Sequence, residues 1–312
     1  MILVAGGSGF IGGAIVRELA RRGEPVTVMS HRPESVGDRF AGLNVAVRQG
    51  DARDAGSLKR AVQGMDTVIS TMQFPNYPVE NAKKGFTFEE IDARGNDRLV
   101  AAAKEAGVSA YIYLSGAGAS PDARQHWFRA KWRAEQAIAA SGLRYTIFRP
   151  SWVYGPGDQS MNRYVTFTRI LPFVPVIGNG RQRMQPVFVK DVARCVADSL
   201  TNKAAAKEIF EIGGPDVMTM NDVVRTMLQV MGKKRPILNS PVFLPRLAAT
   251  LMARLPNTPL SPEVVEFATA SAVANNTNLL RAFDTRLTPL SEGLASYLAP
   301  GAKASTPRMT PA

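Results

Sequence analysis

Metal and disulfide chemistry have almost nothing to work with in this chain, which holds one cysteine and two histidines among 312 residues. Cys195 has no partner for an internal disulfide, which suits a reducing compartment and a small thiol packed in a core. His31, His126 and Cys195 are too scattered to make a ligand set, so no metal is expected. No apolar run approaches the ~20 residues that span a bilayer. The chain enters an apolar strand directly at Ile2, so neither a signal nor a transit peptide is expected. A serine–histidine–acid hydrolase pattern is missing too, because "GGSGF" at residues 6–10 has the character of a phosphate loop and not of a nucleophile elbow.

Acidic residues are in short supply, 26 against 38 lysines and arginines, which leaves a net charge of +12. Such an excess either serves solubility alone or attracts something anionic: a phosphate, an acidic lipid surface or an acidic partner protein. The basic residues are scattered, with no dense block and no interleaved aromatics, so nucleic acid is not an expected partner.

What is present is alternation. "ILVAG", "PVTVMS", "NVAVRQ", "DTVIST", "SAYIYLS" and "RYTIFRP" read as buried strands. Segments such as "IGGAIVRELARRG" lie between most of them, with helical apolar spacing and a closing glycine. Strand and helix repeated in this way imply an α/β fold: a doubly wound, mostly parallel Rossmann sheet covered on both faces. Beyond Arg149 the pattern loosens and proline increases. The later elements expected are a helix in "VKDVARCVADSL", a strand at "EIFEIGG" and a helix after Thr219 with Asp222 completing a capping box. The division expected is a dinucleotide-binding domain over 1–150 with a return segment near 185–202, a smaller C-terminal α/β lobe over 151–299, and a disordered tail over 300–312. No internal repeats are visible.

"VAGGSGFIGG" sets Gly6, Gly9 and Gly12 between the first strand and the first helix, with Ser8, Phe10 and Ile11 in the same turn. A tight turn, close approach of backbone to a pyrophosphate and free helix amides facing the phosphate charge all need that spacing there. The second strand ends in Ser30, His31 and Arg32, where a carboxylate would bind the ribose hydroxyls of NAD. Arg32 either pairs with a 2′-phosphate or is an ordinary solvated arginine, and the absence of an acid favours NADP(H) over NAD(H). Asp51 and Ala52 follow the third strand and should lie near the adenine. Ser70, Thr71 and Met72 follow the fourth and should pass beside the cofactor.

Together with "QGDARD", "YLSGAGA", Lys131 and "RPSWVYGPGD", the glycine spacing resembles the extended and atypical short-chain dehydrogenase/reductases. The stretches "RPSWVYGPGDQSMNRY" and "VPVIGNGRQRMQPVFVKDVA" are similar to the branch holding the nucleotide-binding accessory subunit of respiratory complex I and its bacterial relatives. The likeness runs from Ile2 to about Leu298 and thins after Pro241. It implies cofactor contacts at Pro150, Ser151 and Val153 as well. In catalytic members a serine, a tyrosine and a lysine do the chemistry. Ser115 and Lys131 stand at the matching places, but the tyrosine position falls on Trp127, one helical turn before Lys131. The complex I branch is expected to hold NADPH without evident turnover.

Tyr113 and Tyr154 are the candidates for a substitute acid, or else core or cofactor-contact residues. His126 should project ~100° away from Trp127 and face solvent. In "FLPRLAATLMARLPNTPL", Leu244, Leu247, Leu251 and Leu255 share a helical face beside Arg246 and Arg254. That face either closes the core of the small lobe, the preferred expectation, or docks on an anionic membrane surface or a membrane protein complex. The function expected is NADP(H) binding in a complex-I-accessory-like protein whose cofactor is structural or sensory. The alternative is an active NADPH-dependent reductase or isomerase acting on a carbonyl, quinone or isoprenoid-like substrate. The location expected is cytoplasmic, at most peripheral on the inner face of a membrane.

Overall fold

The computed structural model describes residues 1–252 and 261–302, so most of the expected tail lies outside the described residues. The strands of the first half are β1 (Ile2–Ala5), β2 (Val26–Ser30), β3 (Val45–Gln49), β4 (Thr67–Ser70), β5 (Ala110–Leu114) and β6 (Arg144–Pro150). Between them run α1 (Phe10–Arg21), α2 (Ala55–Val62), α3 (Gly95–Glu105) and α4 (His126–Ala140). After β6 come β7 (Val153–Tyr154), α5 (Gln159–Ile170), β8 (Val174–Ile177), β9 (Arg183–Met184), β10 (Val187–Phe188), α6 (Val189–Asp198) and β11 (Glu208–Ile212). The chain ends through β12 (Met218–Thr219), α7 (Met220–Val230), β13 (Ile237–Ser240), α8 (Phe243–Met252), α9 (Pro262–Thr269), α10 (Thr277–Ala282) and α11 (Leu290–Leu298).

Seven strands form one parallel sheet in the order β11-β6-β5-β4-β1-β2-β3. This is the doubly wound α/β arrangement expected. β1, β2, β4 and β5 are buried throughout, whereas the edge strands β3 and β11 are only partly so. Continuous apolar strands occur here because helices cover both faces, so neither set of alternating side chains meets water. Leu3 and Ala5 join a core with Leu58, Leu99, Trp127 and Ile138, on the side of α2, α3 and α4. Ile2 and Val4 join the opposite core with Ile15, Leu19, Val192, Cys195 and Val196, where α1 packs on α6. β11 then adds the seventh strand beside β6, pairing Phe210 with Phe148.

Strand order reverses between β1 and β4, which opens a crevice at the carboxyl ends of the strands. A third core, including Tyr154, Met161, Val174, Val223, Met227 and Leu294, lies under the later elements. α7 carries the expected capping box of Thr219 with Asp222.

α8 corrects the preferred expectation for its leucines. Leu244, Leu247 and Leu251 are 49%, 57% and 69% exposed, with Phe243 beside them at 65%. The buried residue of this helix is Ala249, a small side chain suited to close packing, and the helix it contacts is α9. Leucine spacing identifies a face, but the neighbouring helix decides which face turns inward. Arg254 and Leu255 lie outside the described residues. No helix among the described residues is long and apolar enough to cross a membrane.

Candidate functional site

The β1–α1 turn is built by exclusion. Gly6 has φ +82°, a left-handed conformation that L side chains rarely adopt, and a Cβ on Gly12 would collide with the Gly6 carbonyl. Thr71 donates to the Ala5 carbonyl from its amide at 2.8 Å and its hydroxyl at 3.1 Å, fastening the turn to the end of β4. Gly9 is the N-cap of α1 and no side chain caps the helix. Its first turn carries no acid, so the amide ends around Ser8, Phe10 and Ile11 present positive charge to an anion.

At the end of β2, His31 and Arg32 are exposed, and the Ser30 hydroxyl accepts from the Arg32 amide at 3.1 Å. Beyond β3, Asp51 meets the Arg53 guanidinium at 2.5 and 2.9 Å, and Arg53 also lies 4.9 Å over the Phe86 ring. The hydrogen bond from Arg53 holds the Asp51 carboxyl below its ordinary pKa. Ala52 is buried, and its carbonyl accepts from Arg98.

Beside β4 and β5, Ser70 is committed to structure, because its hydroxyl donates to Asn96 at 2.7 Å inside the core. Asn96 in turn accepts from Tyr111 and donates to the Asp92 carbonyl. Met72 is buried next to this network. Asp92 sits on a π-helical stretch, Phe88–Arg94, that leads into α3. The Lys131 ammonium donates to Asp92 Oδ1 at 2.8 Å, and Asp92 is wholly buried. Burial pushes the Asp92 carboxyl up, while the neighbouring Lys131 opposes the rise. Lys131 Nζ also lies 5.9 Å from the Tyr113 ring. Three buried oxygens here have no partner: Asp92 Oδ2, the Tyr113 hydroxyl and Ser115 Oγ.

Trp127 is 1% exposed, with ring centroids of Phe88 and Phe267 at 5.9 and 6.2 Å. An indole can donate one hydrogen bond but has no proton to transfer at neutral pH. Tyr113 shares the core of Trp127, and burial raises its hydroxyl well above the ordinary tyrosine value. Tyr154 belongs to the core of the later elements, 5.4 Å from Phe188, with its hydroxyl against Gly293. Lys131, Ser115 and Tyr113 are thus brought together, and Tyr154 is not among them.

Pro150 closes β6 and is buried, and its carbonyl accepts from Ala117. Ser151 donates to the Gln185 carbonyl, and Val153 is partly buried in β7. His126 does not simply face solvent. It is half-buried in the wall of a groove of about 510 Å³, with its ring 5.1 Å from Phe88 and Nε2 3.3 Å from Glu80. Apolar packing by Phe88 draws the imidazole in, which an angle on a helical wheel does not reveal.

Sequence reasoning missed Asp92. The only signal was a carboxylate flanked by Ile91 and Ala93 in an otherwise apolar stretch, and its partner is 39 residues away. It also missed Arg39, whose guanidinium reaches the Ser8 carbonyl at 2.6 Å.

A glycine turn at a strand-order reversal, with a helix N-terminus facing the crevice, defines a Rossmann-type dinucleotide-binding protein of the atypical short-chain dehydrogenase/reductase kind. The profile of the NAD(P)H-binding family matches residues 6–203, and the chain belongs to that family. It is 28% identical over 300 residues to the mitochondrial "NADH dehydrogenase (ubiquinone) 1 alpha subcomplex subunit 9" of Arabidopsis thaliana, covering 92% of this chain and 73% of that one. Across the fungal, slime-mould and rodent counterparts the chain spans 56–71% of the relative's length.

It is also 28% identical to the "(4-alkanoyl-5-oxo-2,5-dihydrofuran-3-yl)methyl phosphate reductase" of Streptomyces griseus, covering 82% of each chain. Among solved structures, UDP-glucose 4-epimerase of Thermus thermophilus, in complex with NAD, superposes with a TM-score of 0.72 at 20% identity, over 94% of this chain and 96% of that one. The residues present suit a nicotinamide dinucleotide. The turn leaves no room for a Cβ at Gly12, and the unpartnered Ser115 and Asp92 oxygens cluster beside Lys131.

Proposed function

We propose that this protein holds NADP(H) as a structural or sensory group, in the manner of a complex I accessory subunit, and does not turn it over at an enzymatic rate. The observation that carries this reading is Trp127, an indole buried where the proton-donating tyrosine of catalytic members would stand. Lys131 supports it, since its charge is already engaged by Asp92. The preference for NADP(H) rests on Arg32, an exposed cation at the end of β2 with no acid in Ser30–Arg32 to favour bare ribose hydroxyls. When bound, the nicotinamide group supplies hydride chemistry. The chain's own contributions are the amides of the glycine turn, the Lys131 ammonium and the Ser115 hydroxyl.

A second reading is favoured by the Streptomyces relative, which is named a reductase and matches along most of both chains. In that reading the protein reduces a carbonyl or quinone, with Ser115 orienting the oxygen and Tyr113 or a solvent proton replacing the missing tyrosine. One experiment separates the two. Protein purified without added nucleotide is denatured and the released cofactor identified, and intact protein with NADPH is then offered a panel of carbonyls and quinones. Released NADP(H) with turnover far below ~10 per second, the middle of the enzyme range, supports the first reading; turnover near that figure establishes the second.

We also infer a cytoplasmic location with peripheral attachment to an anionic membrane face. The exposed Phe243, Leu244, Leu247 and Leu251 of α8 would lie in the interface, with Arg246 beside them. The net charge of +12 favours an acidic surface.

A further inference from the structure

A short turn after β2 brings the chain back to the glycine loop. The 3-10 segment Gly37–Phe40 carries Arg39, which donates from Nη1 to the Ser8 carbonyl at 2.6 Å across 31 residues of sequence. Two neighbours hold this turn. Phe40 is 5% exposed and packs in the core with Ile15, Val16 and Val28. Arg17, on α1, lies 5.3 Å over the Phe40 ring and donates to the carbonyls of Gly13 at 3.1 Å and Arg39 at 3.4 Å. Arg39 is therefore held at the mouth of the phosphate turn even though its side chain reaches solvent.

The charges here are unbalanced. Nearby arginines are neutralised: Arg21 and Arg22 by Glu18, and Arg53 by Asp51. Arg17, Arg32 and Arg39 form no ion pair among the described residues. Arg17 has its pKa lowered, chiefly by burial and further by the charge of Arg39. Cations gathered without a counter-charge beside a helix N-terminus make an electropositive seat for a polyvalent anion.

We propose that Arg39 is a specificity-determining residue that, with Arg32, grips the 2′-phosphate of NADP(H), and that Arg17 and Phe40 are its positioning residues. This rests on the NADP(H) reading above and adds a ligand that the β2 motif does not contain. A phosphate monoester is close to a dianion at neutral pH, so it can engage two guanidiniums. It is also a stronger acceptor than the neutral Ser8 carbonyl that Arg39 now uses.

The test is calorimetry on the full chain, comparing wild type, Arg39→Ala and Arg39→Gln, with NADPH, NADH, 2′,5′-ADP and 5′-ADP as ligands. Thermal unfolding of each variant checks that the fold is kept. Loss of one charge-assisted phosphate contact should weaken NADPH and 2′,5′-ADP by roughly ten- to hundredfold in both variants. NADH and 5′-ADP should change by less than about threefold, because they lack the group. Equal weakening of all four ligands would place Arg39 on the pyrophosphate and overturn the proposal, as would no weakening at all. If wild type prefers NADPH and Arg39→Ala keeps the whole preference, this inference alone fails. If wild type shows no preference, the NADP(H) reading fails with it.

Discussion

Asp158 shows how one buried side chain ties stability to pH. It caps α5, accepting from the Met161 amide at 2.6 Å and the Gly155 amide at 3.2 Å, and burial pushes its pKa from 3.8 up to about 6 against those hydrogen bonds. The folded protein thus binds this proton more tightly than the unfolded chain does. The stability attached to the group is highest below pH 4 and falls as pH rises to about 6. Asparagine caps a helix as well as aspartate does and does not titrate. Asp158→Asn should therefore be more stable than wild type at pH 7, by on the order of 2 kcal/mol, with the gap closing as pH approaches 4. Urea unfolding of both proteins at pH 4, 5, 6 and 7 measures this; a gap that does not vary with pH would mean that Asp158 ionises freely. Trp127 belongs to the same scale. Trp127→Tyr puts a hydroxyl back one turn before Lys131, and a placed proton donor is worth ~10²–10⁴-fold. The variant should oxidise NADPH with a carbonyl acceptor at least about tenfold faster than wild type, at some cost in core packing. An unchanged rate would show that acceptor access, and not proton supply, limits the site.

Elements are joined at this site by buried charge as much as by apolar packing. α4 presents Trp127, Ala130, Ala134 and Ile138 to the sheet at helical spacing, so its inward face was legible from sequence. Glu135 lies in the same stripe, 1% exposed, and takes a two-point ion pair from Arg149 of β6 at 2.5 and 2.9 Å. That pair fixes the angle between the helix bearing Lys131 and the strand leading into Pro150 and Ser151. Removing one partner from a buried pair leaves the other charge stranded, at a cost of about 3–5 kcal/mol; Arg149 keeps 20% exposure, which points to the lower end. Glu135→Gln should lose about 3 kcal/mol in denaturant unfolding. Glu135→Leu combined with Arg149→Met should recover most of it, since an apolar pair carries no desolvation cost. Failure of the double variant to recover would assign the loss to packing.

For the whole molecule, the distribution of exposed apolar and basic groups governs where it sits. Attachment through Arg246 and the +12 net charge should be salt-sensitive, because exposed charges more than ~8–10 Å apart are largely screened at physiological ionic strength. Flotation with phosphatidylserine vesicles should carry the protein at low salt and release it at high salt. Leu247→Glu combined with Leu251→Glu should abolish flotation while NADPH binding persists. No flotation at low salt would exclude a lipid surface and direct the search to a protein partner. Flotation that survives high salt would assign the attachment to the leucine face alone.

The parallel sheet, the glycine turn and the Thr219–Asp222 cap were all readable in one dimension. Each depends on residues within one strand or one turn, where local sterics and side-chain period decide the outcome. The same locality made Trp127 conspicuous one turn before Lys131. Tertiary structure alone decided the rest. It set Asp92 against Lys131 and Arg149 against Glu135, sent Tyr154 into a different core from Tyr113, and turned the leucines of α8 outward. Those outcomes depend on which surfaces meet when distant segments pack, and burial assigns the energy of a charge or a leucine only once its neighbours are in place.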